Sequence, residues 1–207
     1  GLDLSPIPVW MDGDKFFACV PIMGIIAEGD AGELLRLQKA QEEALAKRGP
    51  EMVRRFGRVA PTPVAFVHTK LFDADKGRFL DDQTVIVQRG RIVAVGNSKS
   101  VKIPRNAKQI DGAGKTLVPG LWDAHMHVGD DAQGLTLLSI GMTSARDPGA
   151  NVESTIARRT RIANGELLFP TVYSSILIDG KGPLQAQGAE TVTSADEAVA
   201  AVQMVKA

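Results

Sequence analysis

The chain has 207 residues, 44% of them hydrophobic, and carries 24 basic against 24 acidic side chains. That length and apolar content suffice for a buried core, while the even charge leaves no electrostatic footprint for nucleic acid or an anionic membrane. A single cysteine, Cys19, excludes an internal disulfide framework and any cysteine-rich zinc module.

Cys19 lies in the strand-like FFACV and reads as a small buried apolar residue. No run approaches the roughly 20 apolar residues that a membrane helix needs. The opening GLDLSPIP is not a basic-then-apolar leader, so a signal peptide is expected to be absent or already removed. Cytoplasmic, periplasmic and secreted locations all stay open.

Residues 1–61 read as an N-terminal extension of hairpin plus helix. VWMDGDKFFACV sets two apolar runs around Asp-Gly, a hairpin signal. A helical pattern runs from Glu33 to about Lys47, with Gly49-Pro50 expected to stop it and EMVRRF to resume it. Leu34, Leu37, Ala40 and Ala44 can share one face, a packing surface, with a charged solvated face opposite.

PTPVA marks a boundary. VAFVHTKLFD, QTVIVQRGRIVAVG and KQIDGAGKTLVPG then alternate or run apolar with β-branched residues between Gly, Asp and Asn turns. Residues 62–119 therefore read as a small all-β unit, in which His68 is an ordinary solvent-facing sheet residue. Its glycines are too few and wrongly placed for a nucleotide-binding fingerprint.

From residue 120 to 207 the rhythm changes to a short apolar strand, a helix-like stretch, GMTSARDPG, a helix over about 152–164, LFPTVYSSILI, and a last helix that Ser194 caps. Strands alternating with helices of about 10 to 15 residues predict parallel βα units. Three such units are too few to close a barrel of eight. Ser174 and Ser175 lack the nucleophile-elbow pattern of a serine hydrolase.

The chemistry concentrates in LVPGLWDAHMHVGDD, which holds two of the three histidines. On a strand, His125 and His127 would point to one face and Met126 to the other, so two imidazoles could meet one divalent ion. Gly129 permits a sharp turn, and Asp130 or Asp131 could cap a helix or accept a hydrogen bond from a ligand. By itself, His-x-His is more often a pair of satisfied or surface histidines than a metal site.

The order of a β-rich unit ending in DGAGKTLVPGLWDAHMH, a helix, and then GMTSARDPG resembles the start of the amidohydrolase superfamily of metal-dependent hydrolases. Gly112, Leu117, Val118, Pro119, Gly120, Asp123, His125, His127, Gly141, Thr143, Arg146 and Asp147 carry the resemblance, which covers about residue 62 to the end. It implies an α/β fold: the beginning of a (β/α)8 barrel preceded by a small β-sandwich, with the barrel incomplete in this chain. It also implies one or two divalent ions, commonly zinc, on His125 and His127, activating water against an amide, peptide, cyclic amide or ester bond of a small-molecule substrate.

Asp147, at the end of the second barrel strand, maps to the rim where it could touch substrate or a ligand. It is as readily a turn acceptor before Pro148-Gly149. The family's other ligands, a lysine or glutamate on strand four, histidines on strands five and six, and an aspartate on strand eight, have no counterpart here. The chain is therefore expected to be the N-terminal part of a longer hydrolase, inactive alone. It would pair with the rest of its polypeptide, a second chain or another copy across open edges. The rival reading is a catalytically dead relative serving as a scaffold. The loop LIDGKGPLQAQGAE would overlie the pocket, where Lys181 could touch an anionic substrate.

Overall fold

The structure is a computed structural model that describes residues 9–19, 25–26, 31–150, 152–186 and 189–204. The chain divides into two compact units, one made of residues 58–120 and the other of residues 1–57 together with 121–207.

The hairpin forms where Asp-Gly predicts it. Strands β1 (Val9–Asp12) and β2 (Lys15–Cys19) pair antiparallel around Gly13-Asp14, and β3 (Ile25–Ile26) adds to β2. The side chain of Cys19 lies outside the described residues. A single 3-10 turn, Ala31–Glu33, leads into helix α1, Leu34–Phe56. Ala18 and Leu37 are buried against one another, with Trp10, Phe17, Ile26 and Leu34 packed around them.

Helix α1 departs from expectation by running straight through Gly49-Pro50. Proline has no N–H to give the carbonyl four residues earlier, that of Ala46. A distant side chain supplies the donor: Arg161 Nη2 lies 3.4 Å from Ala46 O. Gly49 permits the approach, since a Cβ there would stand 2.6 Å from the Glu166 carbonyl oxygen. With the helix continuous, its inward stripe runs Leu34, Leu37, Gln41, Leu45, Gly49, Met52, and the expected core residues Ala40 and Ala44 are exposed.

Residues 58–120 form one mixed sheet. Strands β4 (Val64–Asp73), β5 (Arg78–Gln88) and β6 (Arg91–Asn97) make an antiparallel meander. Strands β7 (Lys108–Asp111) and β8 (Thr116–Leu117) then join β4 in parallel. Ala65, Val67 and Ile86 are its buried centre, packed by Ala94, Val101, Ile103 and Ala107. The buried hydroxyls are paired: Thr69 donates to Gln83 O at 3.0 Å and Thr84 to Ser98 Oγ at 2.9 Å, as buried polar groups require. The described residues of this unit make a single sheet. His68 is exposed as expected but is not ordinary. Its φ of 56° falls at a break in the β4–β5 register, and Nδ1 lies 3.3 Å from Asp111 Oδ1.

The remainder alternates strand and helix: β9 (Leu121–Asp123), α2 (Ala132–Ser139), β10 (Met142–Asp147), α3 (Val152–Ala163), β11 (Thr171–Ser174). The three strands are parallel, with β10 in the middle. The stretch expected as a loop contains a second parallel pair, β12 (Ile178–Gly180) with β13 (Glu190–Val192), before helix α4 (Ala195–Met204). Lys181 is exposed within it. Ser194 Oγ accepts the Glu197 N–H at 3.2 Å, and the Glu197 carboxylate accepts the Thr193 N–H at 2.6 Å, a capping box whose return bond reaches the residue before the cap.

Candidate metal centre

The two histidines do not lie on a strand. β9 ends at Asp123, and His125 and His127 follow in irregular chain just past its C-terminal end. Three hydrogen bonds fix this segment. Asp123 Oδ1 accepts the His125 N–H at 3.0 Å, Arg146 O accepts the Met126 N–H at 2.9 Å, and Asp147 Oδ2 accepts the Val128 N–H at 3.1 Å. The consequence that strand alternation was expected to produce nonetheless holds, because both imidazoles lie together. Their ring centres are 5.4 Å apart, edge to face.

Beyond the histidines, the chain is steered into α2. Gly129 N–H donates to Gln133 Oε1 at 2.9 Å, and Asp130 Oδ1 accepts the N–H groups of Ala132 and Gln133 at 2.8 and 3.3 Å. Asp130 is thus the cap. Asp131 instead turns to α3, where it pairs with Arg161 Nη1 and stands 3.7 Å from Arg158 Nε. The Arg158 guanidinium also lies over the Phe169 ring, 5.4 Å from its centroid. Burial draws the Arg158 pKa below its ordinary value, and the Asp131 and Asp147 carboxylates act against that shift.

Asp147 ends the central strand and is buried, with a side chain 5% exposed. Its Oδ1 accepts the Gly149 N–H at 3.2 Å, the turn role that Asp-Pro-Gly predicts. The same oxygen lies 3.4 Å from His127 Nδ1. The His127 ring also rests on Gly149, where a Cβ would meet its Cε1 at 3.3 Å and Nδ1 at 3.6 Å. A side chain there would press on the imidazole. The sequence marked Asp123 only through the family resemblance and Gly149 only as part of a turn, and gave neither a role in holding the histidines.

Two imidazole nitrogens on one tetrahedral ion at about 2.1 Å must come within about 3.4 Å of each other. Rings centred 5.4 Å apart bring two nitrogens to that separation once the edge-to-face pair turns edge to edge, so the pair is spaced to share one ion. Among the described residues, no cluster of three or more His, Cys, Asp or Glu side chains is placed to hold an ion. A pair alone is short of the three or four protein ligands such sites use.

No family model matches the chain. It is 42% identical over 53 residues to the enamidase of Eubacterium barkeri, a match covering 26% of this chain and 14% of that protein. To the imidazolonepropionase of Idiomarina loihiensis it is 31% identical over 124 residues, 57% of this chain and 29% of the relative. A solved structure from Bifidobacterium longum, assigned as a prolidase, shares 28% identity at a TM-score of 0.57, covering 70% of this chain and 38% of that one. These matches are to members of the amidohydrolase superfamily, to which the chain is similar in sequence and in fold. Bottromycin amidohydrolase has the same fold over 87% of this chain and 35% of its own, at a TM-score of 0.57 and 22% identity. The chain spans less than a third of the length of either curated relative. Among the described residues no helix is long and apolar enough to cross a membrane.

Proposed function

We propose that this chain supplies the first part of a metal-dependent hydrolase that cleaves a C–N bond, in an amide, peptide or cyclic amide, or an ester. The observation that carries the reading is the meeting of His125 and His127 just past the end of a parallel strand, where active sites of βα barrels gather. The likeness to the superfamily and the names of the relatives, enamidase, imidazolonepropionase and prolidase, support it. In this reading β9, β10 and β11 are the opening strands of a (β/α)8 barrel, and the sheet of residues 58–120 is one layer of a β-sandwich.

His125 and His127 hold a divalent ion, which we take to be zinc, with further ligands coming from outside the described residues. One ion or two, bound there, supplies a Lewis acid that activates water and polarises a carbonyl. The chain's own residues do the holding: Asp123, Arg146 and Asp147 fix the backbone on which both imidazoles ride. Two ligands bind an ion weakly, so this chain by itself is inactive.

A Co2+ titration followed by its visible absorption tests this. Weak binding that disappears in both His125→Asn and His127→Asn supports the reading. Binding that survives both substitutions refutes it. In a protein carrying this chain and a complete ligand set, metal removal should abolish hydrolysis of C–N substrates.

A further inference from the structure

The two histidines are held unequally. The His125 main chain is tied down by Asp123, but among the described residues its ring meets only His127, edge to face. The His127 ring is flanked on two sides, by the Asp147 carboxylate 3.4 Å from Nδ1 and by the bare backbone of Gly149 beside Cε1. Asp147 itself cannot readily move. It lies at the end of the central strand in register with Ser174, its carbonyl accepts the Ser175 N–H at 2.9 Å, and its carboxylate oxygens accept the N–H groups of Val128 and Gly149. The Val128 bond ties the carboxylate to the residue next to His127, so ring and acceptor are located by the same short segment.

We propose that Asp147 is the positioning residue for His127. It accepts the Nδ1 proton, holds the imidazole in the tautomer whose lone pair is on Nε2, and so makes Nε2 the atom offered to the divalent ion. A neutral imidazole carries one N–H and one lone pair, and the group that one nitrogen faces decides which is which. Carboxylates behind metal-binding histidines act in this way and raise the ligand's basicity as well as orienting it. The His127 side chain is 58% exposed, and among the described residues Nε2 has no hydrogen-bond partner. The nitrogen turned toward the protein is Nδ1, and the ring edge bearing Nε2 is left for a ligand. Gly149 serves the same end, because a methyl group there would press the ring away from the carboxylate.

This inference rests on the metal-site reading, but its first test needs no metal. Two-bond 1H–15N correlation spectra of the metal-free chain, recorded where imidazole is neutral, report the His127 tautomer directly. The wild-type chain should show Nδ1–H. Asp147→Asn keeps the shape of the side chain but can turn an N–H toward Nδ1, and should shift His127 toward Nε2–H while His125 is unchanged. Asp147→Glu, with its longer reach, should retain Nδ1–H in part. Co2+ affinity should fall about 10- to 100-fold in Asp147→Asn. A merely structural role would lower the melting temperature of Asp147→Asn and leave the tautomer as it was, and that outcome overturns the proposal. Wild-type His127 found mainly as Nε2–H overturns it too. Absence of histidine-dependent Co2+ binding in the wild-type chain would remove the metal-site reading, and the tautomer result would still decide what Asp147 does to His127.

Discussion

Replacing Arg161 with Met should weaken the fold in a way that depends on Pro50. Met keeps the apolar stem and removes the charge. The guanidinium has two partners: the Asp131 carboxylate and, 3.4 Å away, the Ala46 carbonyl that Pro50 leaves without its helical donor. Both charged side chains are largely enclosed, at 23% and 16% exposure. Breaking a fully buried pair by removing one partner costs about 3–5 kcal/mol, but Asp131 keeps Arg158 at 3.7 Å, so the lower end applies. We expect Arg161→Met to cost about 3 kcal/mol, of which about 1 kcal/mol is the orphaned carbonyl.

Pro50→Ala restores a backbone N–H for Ala46 O and should itself stabilise, since interior proline is the costliest helix residue. In that background Arg161→Met should cost about 1 kcal/mol less than in the wild type. Urea unfolding of the four proteins, followed by far-UV circular dichroism, measures the cycle. Additivity within about 0.3 kcal/mol would refute the idea that Arg161 replaces the missing donor. A loss below about 1 kcal/mol for Arg161→Met alone would mean that solvent screens the pair as it does at a surface.

Two further outcomes are accessible. Hydrogen bonds from the Thr193 N–H and hydroxyl hold the Glu197 pKa below its ordinary 4.5. A depressed acid stabilises the fold above its unfolded pKa and stops doing so as the pH falls through its folded pKa. Amide protection factors in the first turn of α4, taken relative to the intrinsic exchange rate at each pH, should accordingly fall on acidification, and Glu197→Gln should remove that pH dependence; protection factors independent of pH in the wild type would contradict the cap. In the sheet of residues 58–120, Ile86 is 2% exposed, and Ile86→Ala should cost about 3 kcal/mol. Urea unfolding read from sheet signals should move accordingly, and a shift under about 1 kcal/mol would mean that the neighbouring Ala65 and Val67 close over the space.

What could be read along the chain was what neighbours decide. The hairpin at Asp12-Gly13 is a two-residue matter, and the Ser194–Glu197 cap spans three. The turn role of Asp147 reaches two residues to Gly149, and the strands of residues 62–119 announce themselves by β-branched runs. What could not be read had its partner elsewhere. Helix α1 passes Pro50 because of a guanidinium 115 positions beyond Ala46. The segment after β9 leaves regular strand geometry while the carbonyl of Arg146 takes the Met126 N–H and the carboxylate of Asp147 takes the Val128 N–H, partners that strand propensity does not see. Which of Asp130 and Asp131 caps α2 was undecided in the sequence, because either oxygen could reach the helix. Arg161 claims Asp131, and Asp130 is left to cap.

By itself, then, the sequence determined the βα alternation, the β-rich unit before it and the pairing of two imidazoles one residue apart, all consequences of periodicity and of side chains acting on their own backbone within a few residues. The tertiary structure decided where elements end and what each polar group faces: that α1 is one helix, that His125 and His127 meet off the strand, and that Asp147 stands behind His127. The physical reason is that an unpaired backbone group or a carboxylate takes whichever partner folding brings nearest, and for Ala46, Met126 and Asp131 that partner lies far along the chain.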